Sequence, residues 1–314
     1  MESQLIKPSK MNVFGILRES FKTIKRNRTL LLPVLVLVFL SFSQLDLTQT
    51  YLLEPVAKDF SLQLAKNPKL FEDFANHMHE AEYARAINDL REVLLVKLFI
   101  LTLSSITFLL FLVATVSSSS EAYTAKVLNG QELLLKIKAS WKKPISASFY
   151  MILIIMGLFF ACSFSIGIIA IVALDSWAYL FYGVLCLLVL VLWFYVSALW
   201  IMSLVVSVLE NIGGLGAIGR ARELMKGKQV QAYKMMLLFA LTDGLVYLVK
   251  ISLLSSNLNK WSGLAVSIPF DNGMLCALRL LAFVAFTVFY HECKERFDEK
   301  EAKGIYDPIV ADEV

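Results

Sequence analysis

Residues 145–209 read ISASFYMILIIMGLFFACSFSIGIIAIVALDSWAYLFYGVLCLLVLVLWFYVSALWIMSLVVSVL, and Asp175 is the only charge among them. Thirty uncharged positions precede it and 34 follow. A run of about 18 is already long enough for a transmembrane helix. As helices at about 1.5 Å per residue, the two blocks reach roughly 45 and 51 Å, against a hydrocarbon core of about 30 Å. Length alone would also suit three ordinary spans. The flanking charges decide for two. With two helices, the lysine-bearing segment Ser119–Pro144 and the basic segment Glu210–Lys234 fall on one side of the membrane. With three they fall on opposite sides, against the bias of Lys and Arg toward the cytosol. Tilt absorbs the surplus length. Asp175-Ser176-Trp177, followed by Tyr179 and Tyr182, reads as a tight interfacial turn with aromatic anchors.

The rest of the chain has the same character. Of its 314 residues, 58% are apolar and 18% charged, with a mean hydropathy of +0.66. A soluble domain has about half apolar and about a quarter charged residues. Four further spans are expected: Leu30–Ser43 (short, with Pro33 near its start and Asp46 at the headgroups), Leu98–Ser118, Met235 to about Ser255, and about Ile268 to Tyr290. In hydrocarbon each backbone N–H and C=O must pair within its own segment, and these runs are too uniformly apolar for barrel strands. The expected fold is therefore all-α: a polytopic transmembrane bundle of about six spans with amphipathic interfacial helices. The first run also imitates a signal peptide, with Ser41-Phe42-Ser43 as the cleavage pattern, but the 29 residues ahead of it are long for an n-region.

Orientation follows from Lys and Arg. The N-terminal 29 residues, the second loop and the fourth loop together carry 17; the opposite face carries eight. The positive-inside rule places both termini in the cytosol. The expected organisation is a cytosolic basic helix over 1–29, a membrane domain over 30–290 and an acidic cytosolic tail over 291–314. Within the membrane domain, 46–93 is an extracytosolic loop and 210–234 a cytosolic interfacial helix. The net charge of +4 is too small to point to nucleic acid. The four cysteines show no CxxC spacing and no disulfide framework.

Three polar segments invite functional readings. In Asn12–Arg28, Val13, Leu17, Phe21 and Ile24 recur at helical spacing, with Lys22, Lys25 and Arg26 on other faces. Such a helix binds anionic headgroups, each cation contributing on the order of 1 kcal/mol, or serves only as a topogenic signal. In the first loop, apolar residues from Phe71 to Leu94 are spaced as one helix. His77 and His79 there are two apart, on different faces, and do not form a zinc pair. Glu210–Lys228 reads ENIGGLGAIGRARELMKGK. Its Gly214-x-Gly216-x-x-Gly219 imitates a dinucleotide fingerprint, but no strand precedes it and position 239 is Phe. It reads instead as a short headgroup-level helix from about Leu215 to Met225. Leu215, Ile218 and Met225 would face lipid or the bundle. Arg220, Arg222, Lys226 and Lys228 are candidate headgroup contacts, and Glu210 is a partner for one of the arginines.

Glu210, the glycines, Ala217, Arg220, Leu224 and Lys226-Gly227 resemble a recurring pattern: E-x-x-x-G, then A, a basic residue, S, L and K-G. It is similar to that of a plant family of multi-pass transmembrane proteins of unknown function. It also resembles the non-catalytic membrane domain of some bacterial glycerophosphodiester phosphodiesterases. The start FGILRESFKTIKRNR and the segment WKKP at 141–144 are similar to the plant family too. The resemblance covers most of the chain in layout and a few short segments in residues. It implies a multi-pass helical protein and no activity. Ala221 stands where the pattern has Ser, so this chain lacks that hydroxyl.

Catalytic motifs are missing. There is no HExxH and no GxSxG, and Leu241-Thr242-Asp243-Gly244 is not the GxGD of intramembrane aspartyl proteases. Neither an enzyme nor a cofactor is expected. Asp243 and Arg279 fall near mid-depth on consecutive spans, where opposite charges offset each other's cost. They are a candidate intramembrane ion pair; the alternative is that Arg279 snorkels outward past Gly273 and Asp243 is protonated or hydrogen-bonded to a neighbour such as Thr242. Asp175, Lys250 and Asp271 are placed nearer the interfaces. The expected function is that of a non-catalytic protein of the endoplasmic reticulum or plasma membrane. Its expected partners are anionic lipid headgroups and proteins that meet its cytosolic segments. The alternative is a small-solute or ion transporter that uses the Asp243 and Arg279 pair.

Overall fold

The computed structural model describes residues 11–66, 80–124, 130–172, 177–255 and 260–302. Among these there is no strand, and the helices are α1 (Val13–Arg26), α2 (Arg28–Lys66), α3 (Glu80–Tyr123), α4 (Gly130–Ser140), α5 (Lys142–Val172), α6 (Trp177–Leu209), α7 (Gly214–Met225), α8 (Gln229–Ser255) and α9 (Lys260–Ala302). Six are long and apolar enough to cross a membrane: α2, α3, α5, α6, α8 and α9. The chain is an all-α, multi-pass membrane protein. The 145–209 block forms two helices, α5 and α6. Asp175, His77 and His79 lie outside the described residues.

The first span is fuller than its 14-residue apolar run suggests. It extends over Arg28–Tyr51 because polar residues beyond Ser43 continue the helix. Thr48 and Thr50 donate their hydroxyls to the carbonyls of Gln44 and Asp46 at 2.8 and 2.9 Å, which hides part of their polarity. Asp46 is held by more than the headgroups, since Asn272, buried on α9, donates to it at 2.8 Å. The basic second loop contains α4.

Helix α9 is the axis of the bundle and touches α1, α2, α3, α6, α7 and α8. Ala282–Tyr290 are buried without interruption, as in a helix covered on all sides. Phe283 meets Phe108 and Phe111 of α3 edge-on, at 5.5 and 5.6 Å between ring centroids. The helix does not stop at Tyr290. It continues to Ala302, so residues 291–302 are helical, and Glu292 and Cys293 are buried. The first half of the expected tail is therefore part of the bundle.

Two short helices close the same end of the bundle. α7 turns Ala217, Ile218, Ala221, Leu224 and Met225 inward, against α5, α6 and α9. The small residues among them permit close approach. Ile218 and Met225 thus face the bundle, whereas Leu215 is exposed. α1 buries Ile16, Ser20 and Thr23. Val13, Leu17 and Ile24 are half-buried beside them, but Phe14 and Phe21 point away and are exposed. The apolar arc of α1 is therefore only partly spent on the protein.

Candidate functional site

Where α1, α6, α7, α8 and α9 converge, two carboxylates, Glu210 partly buried and Glu292 buried, gather cations from separate segments. Glu210 follows the last turn of α6. It accepts a hydrogen bond from the Tyr290 hydroxyl at 2.8 Å and one from Arg220 Nε at 3.3 Å, and Lys294 Nζ lies 4.0 Å away. Tyr290 is 2% exposed, so its hydroxyl depends on that carboxylate. Arg220 also donates to Glu223 at 3.2 Å and stacks over Phe297 at 4.5 Å. Burial opposes its charge, but Glu210 and Glu223 hold its guanidinium above the ordinary value.

Local backbone explains why the motif segment can do this. Asn211 has φ 54° and Gly214 φ +62°, so the chain reverses between α6 and α7 through left-handed conformations. A Cβ on Gly214 would lie 3.2 Å from Tyr150 Cε2. Gly227, at φ +87°, turns the chain from α7 into α8, and its carbonyl accepts from Arg296 at 3.3 Å. The residues of the recurring pattern thus have structural tasks: Glu210 and Arg220 pair, Gly214 and Gly227 turn, and Ala217 and Leu224 pack. Ala221 is fully buried.

A second node was not anticipated. Glu292, 5% exposed, is ion-paired with Lys228 and accepts from the Met11 backbone N–H at 3.2 Å. Gln231 donates to the Met11 carbonyl. The node ties the entry of α1 to α8 and α9. Beside it opens a groove of about 830 Å³, whose lining includes Phe14, Val230, Lys234, Arg296 and Glu299. On α3, Ser120 Oγ lies 3.0 Å from His291 Nε2, and Tyr123 stacks on that imidazole at 4.8 Å. A serine and a histidine therefore do meet, but no carboxylate among the described residues orients the ring. Asn27 donates to the Ser118 carbonyl at 3.0 Å, which anchors the α1–α2 corner on α3. A helical spacing of Phe286, Phe289, Tyr290, Cys293 and Phe297 runs through the start of the charged tail, and that signal could have extended α9 and exposed both nodes.

The seven candidate headgroup cations divide into two groups. Lys22, Lys25, Arg26, Arg222 and Lys226 are exposed, Lys22 in a surface ion pair with Glu19 at 2.9 Å. Arg220 is drawn to Glu210 and Lys228 to Glu292, because buried carboxylates require counterions. These two are internal partners rather than free surface charges.

At mid-span, Asp243 and Arg279 lie on neighbouring helices within Coulombic reach of each other. They form no ion pair within 4.0 Å. The Arg279 guanidinium sits over Phe42 and Phe108 instead, 5.5 Å from each ring centroid. The Thr242 hydroxyl bonds its own helix, to Leu238 and Phe239 at 3.1 and 2.7 Å, and is not a partner for Asp243. The pair that does form joins the same helices farther out, between Lys250 and Asp271. No group of His, Cys, Asp and Glu able to hold a metal occurs among the described residues.

Fold and site together define a multi-pass helical membrane protein whose basic end is locked by ionic nodes. The family model described as Domain of unknown function (DUF8558) matches residues 1–306, and the chain belongs to that family. The comparisons with curated proteins and with solved structures find no match.

Proposed function

We propose that this protein is a non-catalytic membrane protein that docks its basic end on anionic lipid headgroups at the cytosolic leaflet. One observation carries the reading: α1 lies outside the spans, yet presents exposed Phe14 and Phe21 together with exposed Lys22, Lys25 and Arg26. Aromatic rings beside cations on one short helix suit the boundary between headgroups and acyl chains. Exposed Arg222 on α7 and Lys226 just after it add charge at the same end of the bundle. The bias of Lys and Arg supports placing this end in the cytosol, and a secretory-pathway membrane such as the endoplasmic reticulum or plasma membrane suits that orientation. The resemblance to non-catalytic membrane domains points the same way, as do the structural tasks of the motif residues. The transporter reading would place Asp243 and Arg279 on a hydrated path within the bundle. Asp243 and Arg279 form no ion pair within 4.0 Å, and the guanidinium lies over Phe42 and Phe108, so the docking role is preferred.

The test is lipid retention. The full chain is purified from mixed phosphatidylcholine and phosphatidylserine membranes, and bound lipid is quantified. Enrichment of phosphatidylserine is expected, with loss on reversing Lys22, Lys25, Arg26, Arg222 and Lys226 to Glu. Equal retention of the two lipids by the unaltered chain would overturn the proposal.

A further inference from the structure

Lys250 and Asp271 pair across α8 and α9 and so mark a common level on the two helices. From that contact Asp243 lies seven residues and Arg279 eight residues farther into the span, about 11 and about 12 Å as helix, so the two charges share one depth. Both are exposed. Neither makes a hydrogen bond or an ion pair among the described residues; Arg279 lies over the faces of Phe42 and Phe108, with Asp243 of its own chain in Coulombic reach but beyond ion-pair distance. Leu241, Leu245 and Leu248 are also exposed on α8, but hydrocarbon satisfies leucine and no cover is needed for them. Charges differ: in a span they are costly and are almost always paired or turned to protein or water. On this face the charges, not the leucines, call for a partner.

The charge pattern selects the occupant. Copies of one chain share an orientation in the membrane, so a two-fold axis along the membrane normal relates them without changing depth. A face with one carboxylate and one guanidinium at equal depth on adjacent helices is complementary to itself under that axis. This is the condition for an isologous interface. Gly244, next to Asp243, has no atom within 4 Å of the position a Cβ would take, which leaves room for a second backbone to approach. We propose that a second copy of this chain covers this face, with Asp243 of each copy paired to Arg279 of the other. The inference requires only the multi-pass fold and stands apart from headgroup docking.

The decisive experiment is complementation in trans. Full-length chains with two different tags are reconstituted in phosphatidylcholine bilayers, and self-association is read by energy transfer and by co-capture. The unaltered chain is expected to associate. D243R alone places two cations on the face and R279D alone two anions, so each is expected to lose association with itself. Co-expressed, the two variants are expected to pair with each other, since each supplies what the other lacks. D243N, a milder change, should fold normally and lose most of the transfer signal. A monomeric unaltered chain, self-association unchanged in D243R or D243N, or failure of co-expression to restore pairing would each overturn the proposal. Failure to restore includes the case in which the single variants do not accumulate.

Discussion

Removing the Tyr290 hydroxyl isolates one bond of the Glu210 node. Tyr290 is 2% exposed and its hydroxyl lies 2.8 Å from Glu210 Oε1. A hydrogen bond to a charged group contributes about 1.5–3 kcal/mol. In Tyr290→Phe the carboxylate keeps Arg220 at 3.3 Å and Lys294 at 4.0 Å, so no charge is left alone. The loss should fall near the low end, about 1.5–2 kcal/mol. Glu210→Ala is harsher. It strands a buried hydroxyl and removes the internal partner of Arg220, which retains only the exposed Glu223. About 2–3 kcal/mol is expected, less than the ~3–5 kcal/mol for breaking a fully buried pair, because Arg220 and Glu210 are partly exposed. The double variant should lose little more than Glu210→Ala alone, because the hydroxyl has no partner once the carboxylate is gone. The assay is reversible unfolding in mixed micelles with increasing dodecyl sulfate, followed by circular dichroism. A neutral Tyr290→Phe, or additive losses in the double variant, would refute the node as the lock of this end.

Other expectations concern turns, surface charge and topology. Gly214→Ala should cost about 1–2 kcal/mol for its left-handed backbone, more if Tyr150 cannot yield, whereas Gly219→Ala, with nothing near its Cβ position, should stabilise α7 by up to about 1 kcal/mol. The same unfolding titration reads both. Lys228→Ala should destabilise the fold by leaving Glu292 uncompensated, while Lys226→Ala should leave the unfolding midpoint within about 0.5 kcal/mol of unaltered protein. For topology, the sequon Asn27-Arg28-Thr29 should stay unmodified and one engineered at Asn76 should be glycosylated in a secretory host; gel mobility with and without glycosidase decides.

Much of the bundle was legible in the sequence because long uncharged blocks admit only helices in hydrocarbon. Asp175 marked the division of 145–209, and flanking lysines chose two helices over three. The pairing of Glu210 with an arginine was legible as well, since a carboxylate at a helix end close to a basic turn has few other partners. What stayed hidden depended on contacts between distant segments. Nothing near Glu292 announces that it meets Lys228 and the N–H of Met11. Its charge read instead as part of a solvated tail. Arg220 and Lys228 look no different in sequence from Arg222 and Lys226, and only the position of buried carboxylates separates them. Asp243 and Arg279 showed the limit of depth matching. Depth follows from counting residues, but the direction of a side chain around its helix depends on what packs beside it, and Phe42 and Phe108 claim the guanidinium.

Spin labels at positions 14, 21 and 26 of the reconstituted full chain test the docking account most directly. Their relative accessibility to oxygen and to a water-soluble nickel complex reports membrane depth. Positions 14 and 21 share one face of α1, whereas 26 lies about a third of a turn away and is also exposed. In bilayers containing phosphatidylserine, labels replacing Phe14 and Phe21 should favour oxygen, as acyl-chain positions do, and the label replacing Arg26 should favour nickel. Equal nickel accessibility at all three positions would place α1 in water and contradict the account.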